Sequence, residues 1–151
     1  MAFFKGQEIY SIDAKGRVNI PSKMRKSLSP LAMDTFAITR GQDECIVAYP
    51  LDEWIKYEER FQDLNQFDSK KRFFLRSMLS WTEESVMDTQ QRVTISKRLM
   101  DYAGLTHKVL IIGVGDHIEF WDPEKYDTYI EGYNESYEEI AEQVMTLRDE
   151  R

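Results

Sequence analysis

The sequence predicts an α+β fold, mainly β, assembled from two tandem copies of one unit. Three observations lead there. The stretch Asp13-Ala14-Lys15-Gly16-Arg17-Val18-Asn19-Ile20-Pro21 returns 75 residues later as Asp88-Thr89-Gln90-Gln91-Arg92-Val93-Thr94-Ile95-Ser96, keeping Asp, Arg, Val and Ile. Around it Ile12 matches Met87, Lys23 matches Arg98 and Met24 matches Leu99. A second echo, now 72 apart, sets Gly41, Ile46, Tyr49 and Trp54 against Gly113, Ile118, Trp121 and Tyr126. Finally, short alternating apolar runs are separated by turn residues, the pattern of small strands. Two copies of about 45 matched residues are a duplication, because a solenoid needs three or more repeats. The change of offset places three extra residues in the first copy, most simply around Leu28-Ser29-Pro30.

In chain order, Glu8–Ile12 reads as a strand and Asp13–Gly16 as a turn in which Asp caps amides and Gly takes positive φ. Arg17–Ile20 is expected to return as its hairpin partner, Val18 and Ile20 inward. Pro21 suits a first helical position, with a short helix over Ser22–Leu28. Phe36–Thr39 and Cys45–Tyr49 form a second strand pair. Helices follow over Leu51–Leu64 and Lys70–Trp81, the latter capped by Asp68 or Ser69. In the second copy Val86-Met87 and Val93–Ile95 flank the repeated turn. A helix runs from Ser96 to Ala103 with Gly104 closing it. His107–Val114 and His117–Trp121 then pair across Gly115-Asp116. Tyr126, Ile130, Tyr133, Tyr137, Ile140, Val144 and Leu147 trace a heptad-like seam, read as one C-terminal helix. The resulting division is 7–54 for the first unit, 55–82 for a helical insert, 83–126 for the second unit and 127–151 for the acidic C-terminal helix.

Composition narrows the function. The chain has 151 residues, 42% hydrophobic, enough for a core, and a single cysteine, Cys45, which excludes an internal disulfide framework. No run is long and apolar enough for a bilayer span, and the first residues lack a signal-peptide core. The expectation is a cytoplasmic protein without membrane association. The net charge of −7 is uneven. Asp122–Arg151 carries all of it, residues 1–121 sum to zero, and Met1–Lys26 is locally basic. Local placement governs phosphate binding more than the total does.

Lys15 and Arg17 are the leading candidates, at the tip and shoulder of a hairpin able to enter a DNA major groove. The plainer alternative is an Asp13–Arg17 ion pair that only closes the turn, and spacing alone slightly favours it. Pair closure also explains why the second copy keeps Asp88 and Arg92 but not Lys and Gly. The basic cluster Lys70, Lys71, Arg72 and Arg76 reads as a solvated helix face. Gly113-Val114-Gly115 lacks the third glycine of a dinucleotide fingerprint, and the two histidines match no zinc pattern. Nothing selects a catalytic pair. The sequence reads as a non-enzyme with no cofactor, no metal and no small-molecule substrate.

The doubled Asp-x-x-x-Arg, each followed by Val-x-Ile and a short helix, resembles the MraZ family of bacterial proteins with two SpoVT/AbrB-type units in tandem. The likeness runs from about Phe4 to Tyr126. It implies a swapped-hairpin AbrB-type β-barrel and a homo-oligomeric ring. It further implies a nucleoid-associated regulator that binds direct repeats of promoter double-stranded DNA in the division and cell-wall gene cluster. The family's DNA-contacting Lys and Arg fall on Lys15 and Arg17, with Asp13 positioning the turn; the second motif supplies Asp88 and Arg92. Two other classes fit the same residues: an AbrB-type antitoxin, and a structural assembly module that binds no DNA.

Overall fold

The computed structural model describes residues 2–149, and the side chains of residues 2–146. Among the described residues eight strands and six helices follow one another as β1 (Gln7–Ser11), β2 (Arg17–Asn19), α1 (Ser22–Arg25), a 3-10 turn (Pro30–Ala32), β3 (Thr35–Arg40), β4 (Ile46–Pro50), α2 (Leu51–Gln62), α3 (Ser69–Leu79), β5 (Glu83–Val86), β6 (Arg92–Thr94), α4 (Lys97–Ala103), β7 (Lys108–Gly113), β8 (Ile118–Trp121), α5 (Pro123–Glu131) and α6 (Tyr137–Asp149). Six strands make one antiparallel sheet in the order β1-β7-β8-β4-β3-β5, and β2 pairs β6 in a separate two-stranded ribbon.

The order corrects one expectation outright. The first turn does not join a hairpin: β1 pairs β7 of the other copy, and β2 pairs β6. Likewise β5 leaves its own copy to pair β3. Alternation along a strand says which face is inward, and it is silent about the partner. The exchange of strands implied by the resemblance is therefore present, but the ladder ends at β1 and β5. The sheet is open, and the expected barrel closure is absent from it.

Exchanging the two copies reverses the strand order onto itself, so the fold carries an internal pseudo-two-fold. Its axis passes between Val18 and Val93, which face each other in the ribbon, and near Val47 and Glu119 at the centre of the sheet. The registers also refine the repeat. Ser11 and Val86 are equivalents 75 apart, their partners Lys108 and Thr35 are 73 apart, and Ile46 and Ile118 are 72 apart. Two of the three extra residues thus precede β3. The third lengthens the β3–β4 turn, so the equivalent of Gly113 is Arg40 rather than Gly41. Gly113 has its own reason: a Cβ there would stand 2.3 Å from the Lys5 backbone nitrogen.

The echoed apolar positions form the core. Val18 and Val93, Ile20 and Ile95, Met24 and Leu99 are buried pairwise, together with Phe36, Ile38, Ile111, Ile118 and Phe120. On the opposite sheet face Cys45, Val47, Leu110 and Trp121 form a smaller cluster. There Tyr49 meets Trp54 at a centroid distance of 5.4 Å, and Trp121 meets Tyr126 at 5.1 Å. These aromatic steps are equivalent at the 72-residue offset and seat α2 and α5 alike.

The caps follow the sequence. Asp68 accepts from the Lys70 and Lys71 amides, Ser96 from the Leu99 amide, and Gly104 ends α4 at φ 68°. Pro21 is a cap residue outside α1, and each histidine lies just before its strand. The C-terminal seam is not one helix. It breaks after Gly132 into α5 and α6, because Gly132 and Asn134 weaken helix propagation there. Tyr137 and Val144 are exposed rather than packed on the body, the Leu147 side chain lies outside the described atoms, and residues 150 and 151 lie outside the described residues. By contrast α3 folds back on its own copy, with Phe74 6.1 Å from Phe61 and the Thr39 hydroxyl donating to the Met78 carbonyl.

Phe120, fully buried on β8 opposite Ile46 and Ile111, knits both copies together. Phe120→Ala is expected to cost about 3–5 kcal/mol in a denaturant titration.

Candidate nucleic-acid interface

Two loops of one design stand at the two ends of the β2–β6 ribbon. In the first, Asp13 Oδ1 accepts from the Lys15 and Arg17 amides at 2.9 Å each, and Oδ2 accepts from Arg17 Nε at 2.6 Å. In the second, Asp88 Oδ1 accepts from the Gln90 and Arg92 amides at 2.9 Å each, and Oδ2 from Arg92 Nε at 2.9 Å. Backbone bonds close both alike: Asp13 N to Arg17 O with Gly16 N to Asp13 O, and Asp88 N to Arg92 O with Gln91 N to Asp88 O. The ion pair is therefore real. It is also compatible with an open guanidinium, since the Arg17 side chain is 34% exposed and its bond uses Nε. Lys15 is exposed on the same loop.

The carboxylates are held for electrostatic reasons. The Arg17 amide is the largest influence on Asp13; with the Arg17 guanidinium and the Lys15 amide it outweighs burial and keeps the acid below its ordinary 3.8. The Arg92 amide, guanidinium and the Gln90 amide do the same for Asp88. A carboxylate that accepts several N–H bonds is favoured in its charged form.

The chain folds this way because each turn needs one left-handed residue. Gly16 takes φ 80° and Gln91 takes φ 64° at the equivalent place. Gly16 is the tighter of the two, since a Cβ would meet the Ile95 carbonyl oxygen at 2.3 Å. Beyond the strands, Ile95 N donates to Gly16 O and Ile20 N to Gln91 O, extending the ribbon to both loops. Val18 and Val93 face the core, leaving Arg17, Asn19, Arg92 and Thr94 on the other side.

All five residues singled out from the sequence thus gather on the ribbon and its two loops, and two links across the ribbon are not encoded in the spacing. Arg92 Nη1 lies 3.7 Å from Asp13 Oδ2, so the second loop's arginine reaches the first loop's acid. Asn19 Nδ2 donates to the Gln90 carbonyl at 2.8 Å, tying the first copy's strand to the second copy's loop. The only signal for either was the repeat itself.

The MraZ protein family model, whose description adds antitoxin-like, matches this chain twice, over residues 3–77 and 78–149. The chain belongs to the MraZ family. Two relatives, both called transcriptional regulator MraZ, match along nearly the whole length. The protein of Natranaerobius thermophilus is 42% identical over 142 residues, covering 94% of this chain and 96% of the relative. That of Acetivibrio thermocellus is 40% identical over 144 residues, covering 95% and 98%. The second match also carries the family pattern past Tyr126 into the acidic tail. The boundary between the two matches falls inside α3, and the second match takes in α5 and α6.

Two predictions follow from the loop geometry. Gly16→Ala is expected to destabilise the fold by about 1–3 kcal/mol, whereas Gln91→Gly leaves it equal or slightly more stable, as read from paired thermal melts. By NMR titration Asp13 and Asp88 should both show midpoints below 3.8. Their folded pKa values are depressed, so the stabilisation is complete above 3.8 and lost as pH falls through the folded values.

Proposed function

We propose that this chain is a sequence-specific DNA-binding transcriptional regulator that reads promoter DNA with the Asp13–Arg17 loop. The observation that carries the reading is an exposed Lys15 and a half-exposed Arg17 on a loop whose backbone is fixed by Asp13. Rigid presentation lowers the ordering cost of binding. Lysine supplies a point charge for phosphate or a guanine edge, and the guanidinium supplies a planar fork for the guanine acceptors. The names of the two relatives point the same way. No catalytic step, cofactor or small-molecule substrate enters this reading, and the chain acts in the cytoplasm at the nucleoid.

One such loop makes few contacts and binds weakly. We therefore infer a homo-oligomeric ring, in which linking many loops makes the later contacts intramolecular and raises avidity. Neighbours related head-to-tail would meet direct rather than inverted repeats, recurring about 10 base pairs apart. The promoter of the division and cell-wall gene cluster is the target that the family resemblance supplies. A second reading has two observations behind it: the family description includes antitoxin-like, and α6 exposes Tyr137 and Val144 as a masking segment would. Protease sensitivity of α6 in the free chain, relieved by a co-purified toxin, would favour it.

Gel-shift titration provides the test. Arg17→Ala should abolish specific binding and leave the oligomer mass unchanged in light scattering. Wild-type affinity should fall by orders of magnitude between roughly 50 and 200 mM salt as counterions are released. Wild-type affinity in Arg17→Ala, or a flat salt response, would overturn the assignment.

A further inference from the structure

We propose that the Asp88 loop is a second DNA contact, in which the Gln90 side-chain amide reads an A·T pair. The proposal rests on the function above and adds to it a residue, a chemistry and a polarity.

The loop is built like the first, bond for bond, from the two amides on the aspartate to the left-handed residue before the arginine. Gln90 occupies the place of Lys15, and both are exposed at opposite ends of the same ribbon. Its turn is held through backbone atoms: the Gln90 amide goes to Asp88 and its carbonyl accepts from Asn19. The side chain is left to meet something else. With the ladder running from Gly16 opposite Ile95 to Ile20 opposite Gln91, the two loops leave the ribbon four residue steps apart, and Arg92 reaches the aspartates of both. That is on the order of 13 Å at roughly 3.3 Å per step, or about four base pairs. One duplex can meet both tips.

The chemistry of the tips differs. An ammonium donates only, so it suits phosphate or the two guanine acceptors. A glutamine amide both donates and accepts, which matches adenine N7 and N6 in the major groove. The arginines differ as well, since Arg92 is 21% exposed and also reaches Asp13, while Arg17 is 34% exposed. A symmetric reader would call for inverted half-sites. This pseudo-symmetric one presents a lysine end and a glutamine end, so the element it reads has a direction.

The test starts from an element selected by the full-length wild-type chain from a random duplex pool. Each base pair of that element is then replaced in turn, and affinities are measured for wild type, Gln90→Ala, Gln90→Lys and Arg17→Ala. Wild type should prefer A·T at a position about four base pairs from a preferred G·C pair read by the first loop. Gln90→Ala should lose that preference, worth roughly 5- to 150-fold, and keep the preferences at the other end. Gln90→Lys should move the preference at that position to G·C. Unchanged thermal melts would show that the variants remain folded. The proposal is overturned if Gln90→Ala keeps every single-base preference, or if it weakens all sequences equally, as loss of a phosphate contact would. Arg17→Ala binding with wild-type preferences would instead bring down the reading of the first loop.

Discussion

The antiparallel pairing of β2 with β6 is the constraint on which the rest of the molecule depends. Val18 and Val93 face each other at its centre, on the pseudo-two-fold, and both are fully buried. With those two positions inward, period-two alternation leaves Arg17, Asn19, Arg92 and Thr94 on the opposite side. The same ribbon fixes where the two Asp-centred loops begin, because its ladder runs into Gly16 and Gln91. Burial on one face thus dictates what the other face can present.

The electrostatics of that outer face are local. Net charge sits in the C-terminal stretch of the sequence, where Asp122–Arg151 carries the whole −7. At the ribbon, each aspartate is committed to amides and to a guanidinium, so it sets geometry instead of repelling an anionic partner. Lys15 has no such carboxylate partner among the described residues, and the second copy replaces it with the neutral Gln90. Duplication preserved the scaffold and let the tips diverge.

Much of this was legible in the residues. The Asp13 and Asp88 turns, the caps at Asp68 and Ser96, the closing Gly104 and the buried Val18, Ile20, Val93 and Ile95 all follow from local chemistry, which short-range spacing encodes. What spacing does not encode is the partner of a strand. Thr94 opposite Arg17 and Lys108 opposite Ser11 are long-range choices, decided by which apolar faces the two copies could bury together. The break between α5 and α6 lies under a heptad-like seam that continues through Gly132, and the sequence marks it only by the weak helix formers Gly132 and Asn134. The contacts of Arg92 with Asp13 and of Asn19 with Gln90 were hidden for the same reason as the strand pairing.

The exchange of strands also orders events in time. Gln7 pairs Ile112, so the first strand to leave the ribosome waits for a partner made about a hundred residues later. Until then the nascent first copy has β3 and β4 to pair with each other and no place for β1 or β2. Such distant closures slow folding, because loop entropy is spent before the contacts return it. The first copy therefore cannot mature as a free-standing unit during synthesis; it completes its sheet only when the second copy arrives.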